Sequence, residues 1–91
     1  MELEELRQMI DDVDDTIISL FQSRMNISAK IAEYKQRHNM PVYDPERERQ
    51  KLHDLSKKVE EVHEAHISAL FSLLFEISRT EQERILNSEA Q

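Results

Sequence analysis

The chain has 91 residues and contains no glycine, no cysteine, no tryptophan and only two prolines. Without cysteine there can be no disulfide, no thiol nucleophile and no thiolate metal site. No stretch approaches the roughly 18 consecutive apolar residues of a membrane-spanning helix. Met1 leads into Glu2, Glu4 and Glu5 rather than into the basic and then apolar start of a secretory signal, so a soluble cytoplasmic protein is expected. The formal net charge is −7 and the basic residues are scattered among acidic ones. With no basic stripe to neutralise phosphates, no nucleic-acid partner is expected. An anionic ligand would have to be held by a local cluster of Arg and Lys acting against the overall field.

What is present is charge and helical periodicity. Charged residues make up 34% of the chain, and apolar residues recur every three or four positions rather than alternating, which predicts an all-α fold. The length allows one domain, taken as 1–91. The pattern predicts three helices, at about 3–38, 44–61 and 65–86, followed by a frayed tail over 87–91. The first begins among acids and ends among Lys35, Arg37 and His38, as the helix dipole prefers. Asn39 suits a left-handed C-terminal position, and Pro41 forbids continuation. Asp44 followed by Pro45 is a strong start signal for the second helix.

The first helix is too long for the domain. About 35 residues at 1.5 Å rise give roughly 52 Å, whereas a compact chain of this size is about 30 Å across. Its apolar stripe (Leu6, Ile10, Val13, Ile17, Leu20, Ile27, Ile31, Tyr34) runs on along the overhang. Such a stripe needs a second chain to cover it, and a homodimer is the simplest partner.

Five polar residues stand where these stripes ask for apolar ones: Arg24 and Lys35 in the first helix, Glu48 in the second, Ser78 and Gln82 in the third. Arg24 and Lys35 are eleven residues apart, so they share a face about 16 Å apart along the axis. Singly, each has a structural reading: Arg24 and Glu48 as a buried ion pair, Ser78 as a satisfied core hydroxyl. Together, in so small a domain, they describe a polar pocket between helices with an excess of positive charge, suited to a small organic anion. Arg7 lies roughly 25 Å from Arg24 along the helix. It is therefore either a solvated surface residue or, in an antiparallel dimer, a contributor to the other chain's pocket. Phe71 and Phe75 read as core and pocket wall. His63-Glu64-Ala65-His66 is one residue short of a zinc-protease spacing, and no metal site is expected.

The run Leu6-Arg7, Ile10, Val13-Asp14, Arg24, Ala32, Lys35, Pro41-Val42, Asp44 and Glu46-Arg47-Glu48-Arg49, with Ser78 and Gln82, resembles the all-helical (type II) chorismate mutases over about 3–86. The resemblance implies three helices per chain and an intertwined homodimer with shared active sites. It implies a cofactor-free rearrangement of chorismate to prephenate, for phenylalanine and tyrosine biosynthesis. Arg24 and Arg47, with Arg7 from the other chain, would hold the two carboxylates, assisted by Ser78. Glu48 would accept from the ring hydroxyl with the Asp44 backbone helping, and Lys35 and Gln82 would flank the ether oxygen. The residues implied in catalysis are Lys35, Gln82, Arg24 and Glu48. Arg79 departs from the family pattern, and both a solvent-facing position and one at the carboxylate end of the pocket are open.

Two other functions share these features: an isochorismate-pyruvate lyase on the same fold, and a non-catalytic module sensing chorismate or prephenate for an aromatic-biosynthesis enzyme. A plain helical dimerisation module would explain the stripes but not the five inward polar residues. Family members are often fused to prephenate dehydratase, prephenate dehydrogenase or the first shikimate-pathway enzyme, so a freestanding chain and an excised domain are both compatible with the sequence.

Overall fold

The structure is a computed structural model and describes residues 1–89, with Glu89 described by its backbone alone. It contains α1 (Leu3–Arg37), α2 (Pro45–Ser56), a 3-10 turn (Glu61–His63) and α3 (Glu64–Glu89). Helix α3 packs against both α1 and α2. The molecule measures 54 × 28 × 14 Å with a radius of gyration of 16.6 Å, well above the roughly 12 Å of a compact domain this size. The all-α expectation is met. No described helix is long and apolar enough to cross a membrane.

Local sequence explains the joints. At the end of α1, Asn39 takes φ 55°. The Met40 amide then donates to the Lys35 carbonyl (2.8 Å) and the Asn39 amide to that of Gln36 (3.3 Å). This is the paired C-terminal closure that a left-handed residue permits. Helix α2 opens as its sequence demands, with Pro45 at the first position and the Asp44 carboxylate accepting from the Arg47 amide at 3.1 Å.

Two boundaries differ from the sequence reading. Helix α2 ends at Ser56, not near 61. The Ser56 hydroxyl donates to the His53 carbonyl (2.9 Å), competing with the helical ladder, and the Lys58 amide closes a tighter turn onto Leu55. Val59 stays half-buried beyond the helix, but Val62, expected in the same stripe, is 71% exposed. Helix α3 continues three residues beyond the expected end at Leu86, through Asn87, Ser88 and Glu89. Neither glycine nor proline interrupts that stretch, and Asn and Ser cost an exposed helix only a few tenths of a kcal/mol each. Of the expected frayed tail 87–91, positions 90 and 91 lie outside the described residues.

The packing face of α1 also differs. The buried residues of this helix are Ser28 and Ala32, flanked by half-buried Phe21, Arg24, Met25 and Lys35. Small side chains let α3 approach closely, where Phe75 is the one buried large apolar residue among those described. The large stripe of Leu6, Ile10, Val13, Ile17, Leu20, Ile27, Ile31 and Tyr34 lies beside this face and is exposed along its whole length.

Candidate functional site

Between the three helices lies a cleft of about 290 Å³, lined by Lys35 of α1, Asp44, Arg47 and Glu48 of the α2 start, and Phe75, Ser78, Arg79 and Gln82 of α3, among others. A second cleft of about 220 Å³ is lined by Arg24, Ile27 and Ser28, and shares Ile31, Ser78 and Gln82 with the first. Seven of the eight residues singled out from sequence thus line one of two adjoining clefts. Arg7 does not. It sits near the far end of α1, 64% exposed, paired with Glu4 at 3.0 Å.

Each helix contributes through its own geometry. In α3, Ser78 and Gln82 are one turn apart and therefore share a face. Both are buried. The Arg24 Nη1 donates to Ser78 Oγ at 2.5 Å, and its guanidinium lies 5.5 Å from the centre of the Phe75 ring, a cation–π distance. In α1, Lys35 turns toward the connection and donates from Nζ to the Val42 carbonyl at 2.9 Å. That bond anchors an ammonium at the cleft wall while leaving it further donors, since Lys has three.

The suspected Arg24–Glu48 ion pair is not formed. Glu48 is engaged by Arg79, whose Nη1 bridges both carboxylate oxygens, with the two side chains only 23% and 28% exposed respectively. Arg79 also stacks over Tyr43, 4.6 Å from the ring centre. The bond to Glu48 drives the Arg79 guanidinium above its ordinary value, and the charges of Glu48, Tyr43 and Glu76 add to this against a partial loss of hydration. Of the two positions open from sequence, the solvent-facing one does not hold: Arg79 lines the cleft and faces Glu48.

Sequence reasoning also passed over Ser28. It is 4% exposed, and its Oγ accepts from Gln82 Nε2 at 2.8 Å. The opposite atom of that amide, Oε1, is buried without a partner, and an orphaned buried acceptor costs about 1–3 kcal/mol. The signal was available as the small-residue series Ser28 and Ala32. It was masked by the larger apolar stripe running alongside.

The cleft linings carry the cations Arg24, Lys35, Arg47 and Arg79 against the carboxylates Asp44 and Glu48. Glu48 is neutralised by Arg79, and Asp44 is committed to its cap. The balance favours an anion with several acceptor groups. The two buried hydroxyls, Ser78 and Ser28, accept from a guanidinium and an amide respectively, neither of which activates a nucleophile, so the arrangement suits binding and charge stabilisation rather than covalent attack. His63 and His66 have ring centres 6.3 Å apart. No group of three or more metal-ligating side chains converges among the described residues.

The family described as chorismate mutase type II matches residues 6–83. This chain belongs to that family. A chorismate mutase of Methanocaldococcus jannaschii is 30% identical over 87 residues, covering 92% of this chain and 87% of that protein. A bifunctional chorismate mutase/prephenate dehydratase of Aquifex aeolicus is 41% identical over 61 residues, or 64% of this chain and 17% of its own length. A 4-amino-4-deoxychorismate mutase of Streptomyces venezuelae is 37% identical over 46 residues, 50% of this chain and 45% of that protein. This type II chain spans only a small part of the bifunctional relatives it matches, 17% of the Aquifex protein.

Proposed function

We propose that this chain is a chorismate mutase that rearranges chorismate to prephenate without a cofactor, in the cytoplasm, for phenylalanine and tyrosine biosynthesis. The observation that carries the reading is a single cleft lined by Lys35, Arg47, Glu48, Ser78 and Gln82 from all three helices, in a member of the type II family. The reaction breaks a C–O bond and forms a C–C bond in one pericyclic step. It calls for no nucleophile and no proton transfer, only a held reactive conformer and stabilisation of charge growing on the ether oxygen.

In this reading Lys35 and Gln82 donate to the ether oxygen. Rotation of the Gln82 amide would direct its NH2 group to the ligand and let the Ser28 hydroxyl donate to Oε1, relieving the orphaned acceptor. Arg24 and Arg47 hold the substrate carboxylates, Arg24 being steadied by Ser78 and Phe75. Glu48 accepts from the ring hydroxyl, and Asp44 holds the start of α2 in place beside it. Arg7 is too far along α1 to serve its own chain's cleft, so it is assigned to the second protomer's site. That assignment requires an antiparallel pairing of two α1 helices through the exposed stripe, giving an intertwined homodimer with shared sites.

The test is to add purified protein to chorismate, follow the loss of its ultraviolet absorbance and identify the product by NMR. Prephenate formed without metal or cofactor is expected. Saturable binding without turnover would replace this reading with a sensor module, and pyruvate release from isochorismate would replace it with the lyase. The Streptomyces relative is named for a substrate with an amino group in place of a hydroxyl, and that compound belongs in the same assay.

A further inference from the structure

The mutase reading leaves Arg79 without a task. Yet it is the most firmly held cation at the cleft. Its Nη1 bridges both oxygens of Glu48 from α3 to α2, and its guanidinium rests on the Tyr43 ring in the connection between α1 and α2. Both Arg79 and Glu48 line the main cleft. The residue follows Ser78 directly, so the rotation of about 100° per helical residue sends it to a different wall. Ser78 meets Arg24, whereas Arg79 meets Glu48.

The consequence is a carboxylate already paired with a fixed positive charge. A carboxylate has about four lone-pair directions. A bridging nitrogen leaves some of them free, so Glu48 can still accept a hydrogen bond from a ligand lining the same space. It is, however, no longer a bare anion. A neutral hydroxyl loses little from the guanidinium close by. A protonated amine placed at the same spot meets the carboxylate and a repelling cation together. Discrimination of this kind works by building an unfavourable charge contact against the wrong ligand.

We propose that Arg79 is a positioning and specificity-determining residue. It holds Glu48 in place and tunes the cleft to a ring hydroxyl, against the ammonium of an amino-substituted analogue. The inference rests on the mutase reading, since it presumes that Glu48 meets that ring substituent.

The experiment compares kcat/KM for chorismate and for 4-amino-4-deoxychorismate in the unaltered protein, Arg79→Gln, Arg79→Lys and Glu48→Gln. The unaltered protein should prefer chorismate. Arg79→Gln should lower that preference by at least about tenfold, the scale of one removed charge contact in a partly buried site. Arg79→Lys should restore most of it, which a merely structural role would not require. Glu48→Gln should move the preference the opposite way, because it leaves the cation unopposed. It also decides the matter if the Arg79 variants fail to fold by circular dichroism. An unchanged ratio in a folded Arg79→Gln, or a reduced one in Glu48→Gln, would overturn the proposal while chorismate turnover by the unaltered protein left the mutase reading standing. Turnover of neither compound by the unaltered protein would overturn both.

Discussion

Arg24 ties α1 to α3 at the second cleft. It donates to Ser78 Oγ at 2.5 Å and lies over Phe75, yet it is only half-buried, so its loss should cost little stability. Arg24→Ala is expected to reduce kcat/KM by about a hundredfold or more while circular dichroism and oligomeric state stay unchanged. Near-normal activity would remove it from the site. Ser28 poses the opposite case, a residue whose own chemistry is modest but whose contact orients Gln82. Ser28→Ala leaves the buried amide with no partner at Nε2 either. A loss of about 1–3 kcal/mol, read by thermal melting, should accompany a fall in kcat larger than any change in KM. Gln82 carries a third expectation. Being an amide it does not titrate, so the proposed mutase activity should persist through neutral pH, and a steep loss between about pH 5 and 7 would mean that another group must be protonated.

At the scale of the element, the start of α2 decides where Arg47 and Glu48 stand. The Asp44 carboxylate caps the Arg47 amide, and removing such a cap costs about 1 kcal/mol. Asp44→Ala should therefore lower the melting temperature by about 4–8 °C. Asp44→Asn, which keeps the acceptor, should recover most of that loss. The other end of α2 shows how a weak signal misleads. Val59 and Val62 continue the apolar spacing from Leu52 and Leu55, but Ser56 turns its hydroxyl onto the backbone and the chain leaves the helix there. The 3-10 turn at Glu61–His63 then redirects the chain into α3.

For the molecule as a whole, the 54 Å dimension belongs to α1, which presents an uncovered row of large aliphatic side chains. A patch of that kind marks an association surface. Light scattering should report twice the mass of one chain. If Arg7 serves the partner's site, then mixing Arg7→Ala with Arg24→Ala under subunit exchange should recover activity that neither variant has alone, since one mixed site keeps both arginines. Failure to recover, with exchange proven, would assign Arg7 to the surface.

The helical class, the closure at Asn39 and the capped start at Asp44 are properties of local spacing and residue type, and these the sequence determined by itself; the family followed from its resemblance to known chains. Among the cleft residues, Arg24, Lys35, Glu48, Ser78 and Gln82 were legible too, because a charged or polar group breaks an apolar period visibly, whereas Asp44 and Arg47 followed only from the family resemblance and Ser28 and Arg79 from neither. Pairing was not legible, since which cation meets which anion depends on helix rotation and on the distance between axes. Arg24 went to Ser78 and Glu48 to Arg79, whereas spacing alone had offered Arg24 to Glu48. Nor did periodicity reveal that α1 turns Ser28 and Ala32 toward α3 and leaves its large stripe exposed. Close approach of two helices favours small side chains at the contact, and only the packed arrangement decides which of two neighbouring faces makes it.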